Sequence, residues 1–275
     1  MPRPPSSPRP ARTTSTTKDK NLAPAVLKAA QVLDVFAQSA TPLSLAELVR
    51  RLELSKSTVH TLCNTLIHLR LLTRLEGGQM ALGPHLMSWA NAFLSRTEIT
   101  QEFFAAWDEV SVLPEETITL SVLDGNSVVY IACRNSDRPL GVTFRTGMRL
   151  PAPFTATGKA MLSTLEDGEI RELLKGPWPE RLTAAGTPNL TALLKQVREI
   201  RKRGYSIDGG EVRDGMHCFG APVFDSRGTR AVAGVAVSLM SLEIDQETQE
   251  KAGSAIRALA NRLSERLGAS LSPLR

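Results

Sequence analysis

Three cysteines and four histidines in 275 residues leave little material for crosslinks or metal sites. Cys63, Cys133 and Cys218 lie far apart in no paired spacing, which excludes a disulfide framework or a zinc knuckle and makes a reducing cytoplasm the simplest home. His60, His68, His85 and His217 form no ligand cluster. His60 and Cys63 share one helical face, but two ligands do not make a site, so neither a metal nor a cofactor is expected. Long apolar runs are missing as well: none approaches the ~20 residues that span a bilayer, and no membrane association is expected. Residues 1–20, MPRPPSSPRPARTTSTTKDK, almost lack hydrophobic side chains and cannot pack a core. They read as a disordered basic tail, without the amphipathic apolar face of a transit peptide. There is no internal repeat.

What is present suits about two domains, since 275 residues with 42% hydrophobic content can fill a core in each. The net charge of +5 is unevenly placed. Residues 1–100 hold 12 Lys+Arg against 6 Asp+Glu, whereas residues 101–275 hold 21 against 22. The basic third would favour a polyanion through counterion release, and the remainder has no such bias.

The basic third contains SLAELVRRLELSKSTVHTLCNTLIHLRLL, residues 44–72, which reads as two helices and a tight turn. Ser44 with Glu47 three residues on forms a capping box, and Leu45, Leu48, Val49 and Leu52 recur at helical spacing. After the turn Leu52-Glu53-Leu54, Ser55 caps a second helix whose inward stripe is Val59, Leu62, Cys63, Leu66 and Leu69. Its other face carries Lys56, Ser57, His60, Thr61 and Asn64, short donors and acceptors suited to phosphates and base edges. A polar helix face is also what plain solvation requires, so the sequel decides. Leu71–Leu75 and Gln79–Leu82 flank Glu76-Gly77-Gly78 as two short strands, and a hairpin after such a helix makes a winged helix-turn-helix. Pro24 to about Gln38 adds a preceding helix. The DNA-contact set is then Ser44, Ser55, Lys56, Ser57, Thr58, His60, Thr61, Asn64 and Arg74, with Lys56, Ser57 and Thr58 near phosphates and His60, Thr61 and Asn64 nearest bases.

Past Gly83-Pro84, a helix to about Arg96 bears an apolar stripe of Leu86, Trp89, Ala90, Phe93 and Leu94. Such a stripe would pack either on the second domain or on the same helix of a second copy, and the copy is preferred because a winged helix usually needs a twin to reach useful affinity. From Thr100 the pattern is α+β: a helix to Leu113, a hairpin of Thr117–Leu123 and Ser127–Arg134 around Asp124-Gly125-Asn126, and a third strand near Leu140–Phe144. Helices are expected at 155–163, 167–174, 190–203 and 245–267, and strands at 205–207, 218–224 and 231–239. The domains so defined are a tail at 1–20, a winged helix-turn-helix at 21–83, a linker helix at 84–98 and an α+β domain at 99–270.

Two stretches of that domain carry chemistry. In GMRLPAPFTATGK, residues 147–159, Thr155-Ala156-Thr157-Gly158 open a helix, which is either an anion cradle of backbone N–H groups and hydroxyls or an ordinary capped helix. It is not a nucleotide P-loop, because Pro153 stands where the first glycine belongs and Ala160 replaces the magnesium-binding hydroxyl. In YSIDGGEVRDGMHC, residues 205–218, Cys218 with Asp208, Glu211 and His217 would suit a thiol hydrolase of small molecules, with the helix-turn-helix as an accessory. Neighbouring residues on a strand face opposite ways, so His217 cannot serve Cys218 as base, and a binding role is preferred.

The order LSLAELVRRLELSKSTVHTLCNTLIHLRLL, LGPHLM, LDGNSVVYI, TGMRLPAPFTATGKAML, RKRGYSIDGGE and GMHCFGAPVFD resembles the IclR family of bacterial transcriptional regulators. The resemblance, running from Leu22 to Leu267, implies a winged helix-turn-helix, a dimerising linker helix and a GAF- or profilin-like α+β domain that binds a small, often carboxylate-bearing effector. It further implies a homodimer, or a dimer of dimers, reading an inverted-repeat operator in double-stranded DNA. Carried over by position, it places the effector pocket at Leu150, Ala156, Thr157, Asp208, Cys218 and Ser238, with Gly147 and Gly158 shaping its loops. The chain departs from the family pattern at Thr61, where Arg is frequent, in the wing at Gln79–Ala81, where basic residues are frequent, and at Gly209 and Gly210, where acidic residues are frequent. A bidentate Arg on guanine is worth ~1–3 kcal/mol of discrimination, so the bases read should differ.

Overall fold

In a computed structural model, residues 22–96, 99–110, 113–137, 141–240 and 244–270 are described. The tail expected at 1–20 therefore lies outside them. The chain divides into two units, Met1–Phe93 and Leu94–Arg275. The division falls inside the helix expected as a linker, rather than at either of its ends.

In the first unit, α1 (Pro24–Ala37) begins on a proline, whose fixed φ suits a first helical position. It is followed by α2 (Leu45–Leu52), α3 (Lys56–His68), β1 (Leu72–Arg74) and β2 (Met80–Leu82). Both halves of the capping box at Ser44 and Glu47 form, and α2 ends on Glu53 in the left-handed region (φ 53°). The strands pair antiparallel with Leu72 opposite Leu82, and Leu43 bridges to Met80, so the hairpin is tied to the entry of α2. Val32, Phe36, Leu48, Val59, Cys63, Leu66 and Met80 fill the core. Leu69, expected on the inward stripe of α3, is exposed instead: the helix stops at His68 and Leu69 is its C-cap residue. Then comes α4 (His85–Arg96), where Met87 and Trp89 are exposed.

The second unit is built on a six-stranded sheet. Its elements are α5 (Ile99–Val110), β3 (Thr117–Asp124), β4 (Ser127–Arg134), β5 (Arg149–Pro151), α6 (Ala156–Leu162), α7 (Asp167–Leu173), α8 (Leu190–Arg203), β6 (Ser206–Gly209), β7 (Met216–Val223), β8 (Ala233–Met240) and α9 (Gln246–Arg266). The order is β5-β4-β3-β8-β7-β6, with every neighbouring pair antiparallel. Alternation sorts the side chains: Phe219, Val235 and Val237 join Phe103 and Trp107 of α5 and Ile256, Leu259 and Leu263 of α9 on one face. Met216, Cys218 and Ala236 join Met161 and Leu162 of α6, Ile170 of α7 and Leu193 and Val197 of α8 on the other.

The third strand expected near Leu140–Phe144 does not form. Leu140 lies outside the described residues, and 141–145 is irregular although Val142 and Phe144 are buried. Side chains hold this backbone in place of a ladder: Thr117 Oγ1 donates to the Val142 carbonyl (2.5 Å), and the Asn135 amide bonds both Phe144 N–H (2.9 Å) and C=O (3.1 Å). The edge strand is Arg149–Pro151.

Candidate DNA-recognition face and effector cavity

On α3, the N-cap Ser55 hydroxyl accepts from Thr58 N–H (3.2 Å) and bonds the hydroxyls of Ser57 (3.0 Å) and Thr58 (2.8 Å). This fixes the first turn, where the free N–H groups and the helix dipole favour a phosphate. Lys56, Ser57, His60, Thr61 and Asn64 are exposed and Thr58 is half-buried. Asn64 lies 3.4 Å from the His60 ring and accepts a hydrogen bond from Arg74 of β1 (3.3 Å), so the wing strand steadies a side chain on the exposed face of α3. Ser44 is placed differently from the rest: half-buried, it donates to Glu47 Oε2 (2.7 Å) and accepts from Glu47 N–H (3.3 Å). Its hydroxyl is engaged in the cap.

In the second unit, the start of α6 lies against β7 and β8. The contact needs glycine: a Cβ on Gly220 would come within 2.6 Å of the Ala156 carbonyl carbon, and one on Gly234 within 2.8 Å of the Thr157 oxygen. Between this helix start and the sheet is a small enclosed cavity lined by Thr119, Tyr130, Phe144, Thr155, Ala156, Thr157, Asp208, Val212, Met216, Cys218, Ala236 and Ser238. Its free volume of ≈10 Å³ is about one water molecule's worth, so an organic ligand has to part the walls. Five of the expected pocket residues, Ala156, Thr157, Asp208, Cys218 and Ser238, come together here. Three do not line it. Leu150 packs at the edge of the core under α6–α8. Gly147 is in the turn before β5, its N–H on the Tyr130 carbonyl (2.7 Å) at φ +85°. Gly158 lies in the first turn of α6, where its missing side chain lets the Ala152 backbone approach closely.

Sequence reasoning missed Thr119, Tyr130, Phe144, Thr155 as a lining residue, Val212, Met216 and Ala236. For Thr119 a signal existed. Thr117, Thr119 and Ser121 alternate with Ile118 and Leu120 along β3, which reads as a strand with one wet face, yet all three hydroxyl residues are fully buried. A buried row of hydroxyls needs partners. Ser121 donates to Thr157 Oγ1 (2.7 Å), Thr117 bonds the Val142 carbonyl, and Thr119 faces the cavity.

Behind the cavity, Lys159 is fully buried and pairs with Glu211. Its Nζ also donates to the Ile207 carbonyl (3.1 Å), while Glu211 accepts from Thr187 N–H (2.9 Å) and Oγ1 (2.5 Å). Asp208 accepts from Glu211 N–H (2.6 Å). Burial dominates its titration, with the Glu211 charge adding to it and Lys159 opposing, and the carboxyl is pushed up to about 7. Burial, reinforced by Asp208, also pushes the Cys218 thiol well above its usual value. Cys218 shares a hydrogen bond with Ser238 Oγ (3.1 Å), and His217 stands on the opposite side of β7. A buried thiol held protonated is a poor nucleophile, which removes the basis of the hydrolase alternative.

Two family models match this chain, the IclR helix-turn-helix domain over residues 25–76 and the bacterial transcriptional regulator IclR C-terminal domain over residues 91–265. The chain belongs to the IclR family. IclR regulators bind DNA through the first of these domains, so this is a DNA-binding transcriptional regulator of α+β fold and not an enzyme. It is 30% identical to the HTH-type transcriptional regulator XynR of Escherichia coli, over 85% of this chain and 96% of that one. Among solved structures, the repressor BlcR of Agobacterium tumefaciens is 43% identical with a TM-score of 0.60, covering 92% of this chain and 100% of that one. An IclR homologue from Microbacterium hydrocarbonoxydans, solved with 4-hydroxybenzoate, shares the fold at 20% identity and a TM-score of 0.70, covering 88% and 99%. No described helix of this IclR member is long and apolar enough to cross a membrane.

Proposed function

We propose that this IclR regulator works in the cytoplasm as a homodimer, or a dimer of dimers, whose α3 helices read an inverted-repeat operator under control of a small organic acid bound at the Asp208 cavity. The observation that carries the DNA part is the Arg74–Asn64 hydrogen bond, which joins the wing to α3 beside the exposed His60 and Thr61. Lys56, Ser57 and Thr58 at the helix start position the protein on phosphates, while His60, Thr61 and Asn64 meet base edges, with Arg74 and the cap of Ser55 as supports. In support of the effector, the homologue bound to 4-hydroxybenzoate has an acid as its ligand, and the cavity here gathers hydroxyls, a thiol and a carboxyl in one enclosed space. An effector shifts operator binding only as far as its affinity differs between the free and DNA-bound arrangements.

The test is binding to the DNA upstream of the protein's own coding region, footprinted against scrambled competitor at several salt concentrations. Footprinted binding that survives competitor is expected. In the doubly substituted Thr61→Ala, Asn64→Ala protein, specific affinity should fall on the order of tenfold or more, from ~1–3 kcal/mol per lost base contact, with nonspecific affinity nearly unchanged. Unchanged operator affinity would remove this face as the reader.

A further inference from the structure

The cavity has a one-sided polar inventory. Its lining offers the hydroxyls of Thr119, Tyr130, Thr155, Thr157 and Ser238, the Cys218 thiol and one carboxyl, Asp208, and includes no cationic side chain. The nearest cation, Lys159 on α6, is fully buried and already engaged by Glu211 and the Ile207 carbonyl. The titratable groups that interact with Asp208 are Lys159 from α6, Glu211 from the loop after β6, Cys218 from β7 and Tyr130 from β4. Of these only Lys159 is positive, and its charge is balanced by Glu211. An entering carboxylate thus brings a second negative charge beside Asp208 with no free cation to receive it. Two carboxylates in so dry a site cannot both stay ionised.

Resting on the reading of this cavity as the effector site, we infer that it takes an organic acid together with one proton, held between the acid and Asp208. The two carboxyl groups share that proton as an O–H···O hydrogen bond, while Ser238 and Thr119 are placed to donate to the remaining oxygens. The group thereby selects acids over neutral analogues and couples effector binding to pH: the acid binds tightest on the acid side of neutrality, and the proton must be drawn from solvent on the alkaline side.

Titration calorimetry of the full-length protein tests this with 4-hydroxybenzoate, glycolate and 2-oxobutyrate and their primary amides, at pH 6 and pH 8.5, in buffers of different ionisation enthalpy. An acid is expected to bind with uptake of about one proton at pH 8.5, its affinity falling about tenfold per pH unit above neutrality, with the amides weaker at pH 6. Asp208→Asn, which fixes the uncharged form, should bind the acid without proton uptake and without that pH dependence. Acid binding by the wild type with no proton uptake, or amides binding as tightly as acids, overturns the proposal and leaves the effector site standing. A second arm needs no ligand: difference infrared spectra of wild type and Asp208→Asn should show a protonated Asp208 C=O stretch at pH 6. An ionised Asp208 at that pH overturns the coupling. Failure of all probes to bind at pH 6 would count against the effector reading itself.

Discussion

Among the described residues, Asp208, Lys159 and Glu211 are the buried charged side chains of the second unit. Asp208 titrates near 7 folded and near its usual 3.8 unfolded, so folding binds a proton there. Its contribution to stability is fully present below about pH 4, is lost as pH rises towards 7, and is constant above; each pH unit crossed between those limits removes about 1.4 kcal/mol. Asp208→Asn should therefore raise the urea midpoint relative to wild type by more at pH 8 than at pH 5; an equal effect at both would show that the carboxyl is already ionised in the folded state at pH 5. The Lys159–Glu211 pair behaves differently. Taking away one partner leaves an uncompensated buried charge, and Lys159→Met alone should lower stability by about 3–5 kcal/mol, much of it regained in Lys159→Met with Glu211→Leu. Urea denaturation of the single and double variants reads that difference. None of this was legible in the sequence, where Lys159 looks like any first-turn lysine and Thr119 like a solvated strand position. Burial on both faces of β3 is a tertiary fact, set by α6 arriving over residues that alternate as if one face were wet.

The elements themselves were largely legible, because their signals are local. Ser44 with Glu47, Ser55, Asn189 and Asp245 each stand where a helix starts, their side chains accepting first-turn N–H groups. The hairpin around Gly125 and the alternation of β7 and β8 also carried through. What failed was 141–145, where a strand-like alternation of Val142 and Phe144 is satisfied by Thr117 and Asn135 from elsewhere in the chain. The cap at Ser44 separates a folding role from a recognition role. Ser44→Ala removes a cap acceptor and should lower the stability of the first unit by about 1 kcal/mol. DNA affinity, measured by fluorescence anisotropy well below the melting temperature, should stay within twofold of wild type. A large loss of affinity in the folded variant would mean that Ser44 contacts DNA as well as capping α2.

For the molecule as a whole, the question is how one small reading head becomes a specific binder. The first unit presents a single α3, and a helix in one major groove rarely discriminates well alone, whereas two of them about one helical turn apart read twice the sequence. The basic third would supply attraction that is the same on any DNA and falls with salt, so in the dimer proposed above the added specificity comes from pairing. In α4 the side chains that sequence periodicity placed on an apolar stripe include Trp89, 53% exposed, and Met87, two residues earlier and so on another side of the helix, is exposed at 71%. Exposed aromatic and thioether surface on a helix joining two folded units is better suited to a second copy than to water. A charge there desolvates badly in a dimer and is harmless in a monomer, so Trp89→Glu should leave helix content by circular dichroism unchanged and shift the protein towards monomer in sedimentation. Operator affinity should fall by ten- to a hundredfold, while binding to random duplex at low salt changes little. A Trp89→Glu protein that sediments as wild type and keeps its footprint would mean that α4 does not make the pair.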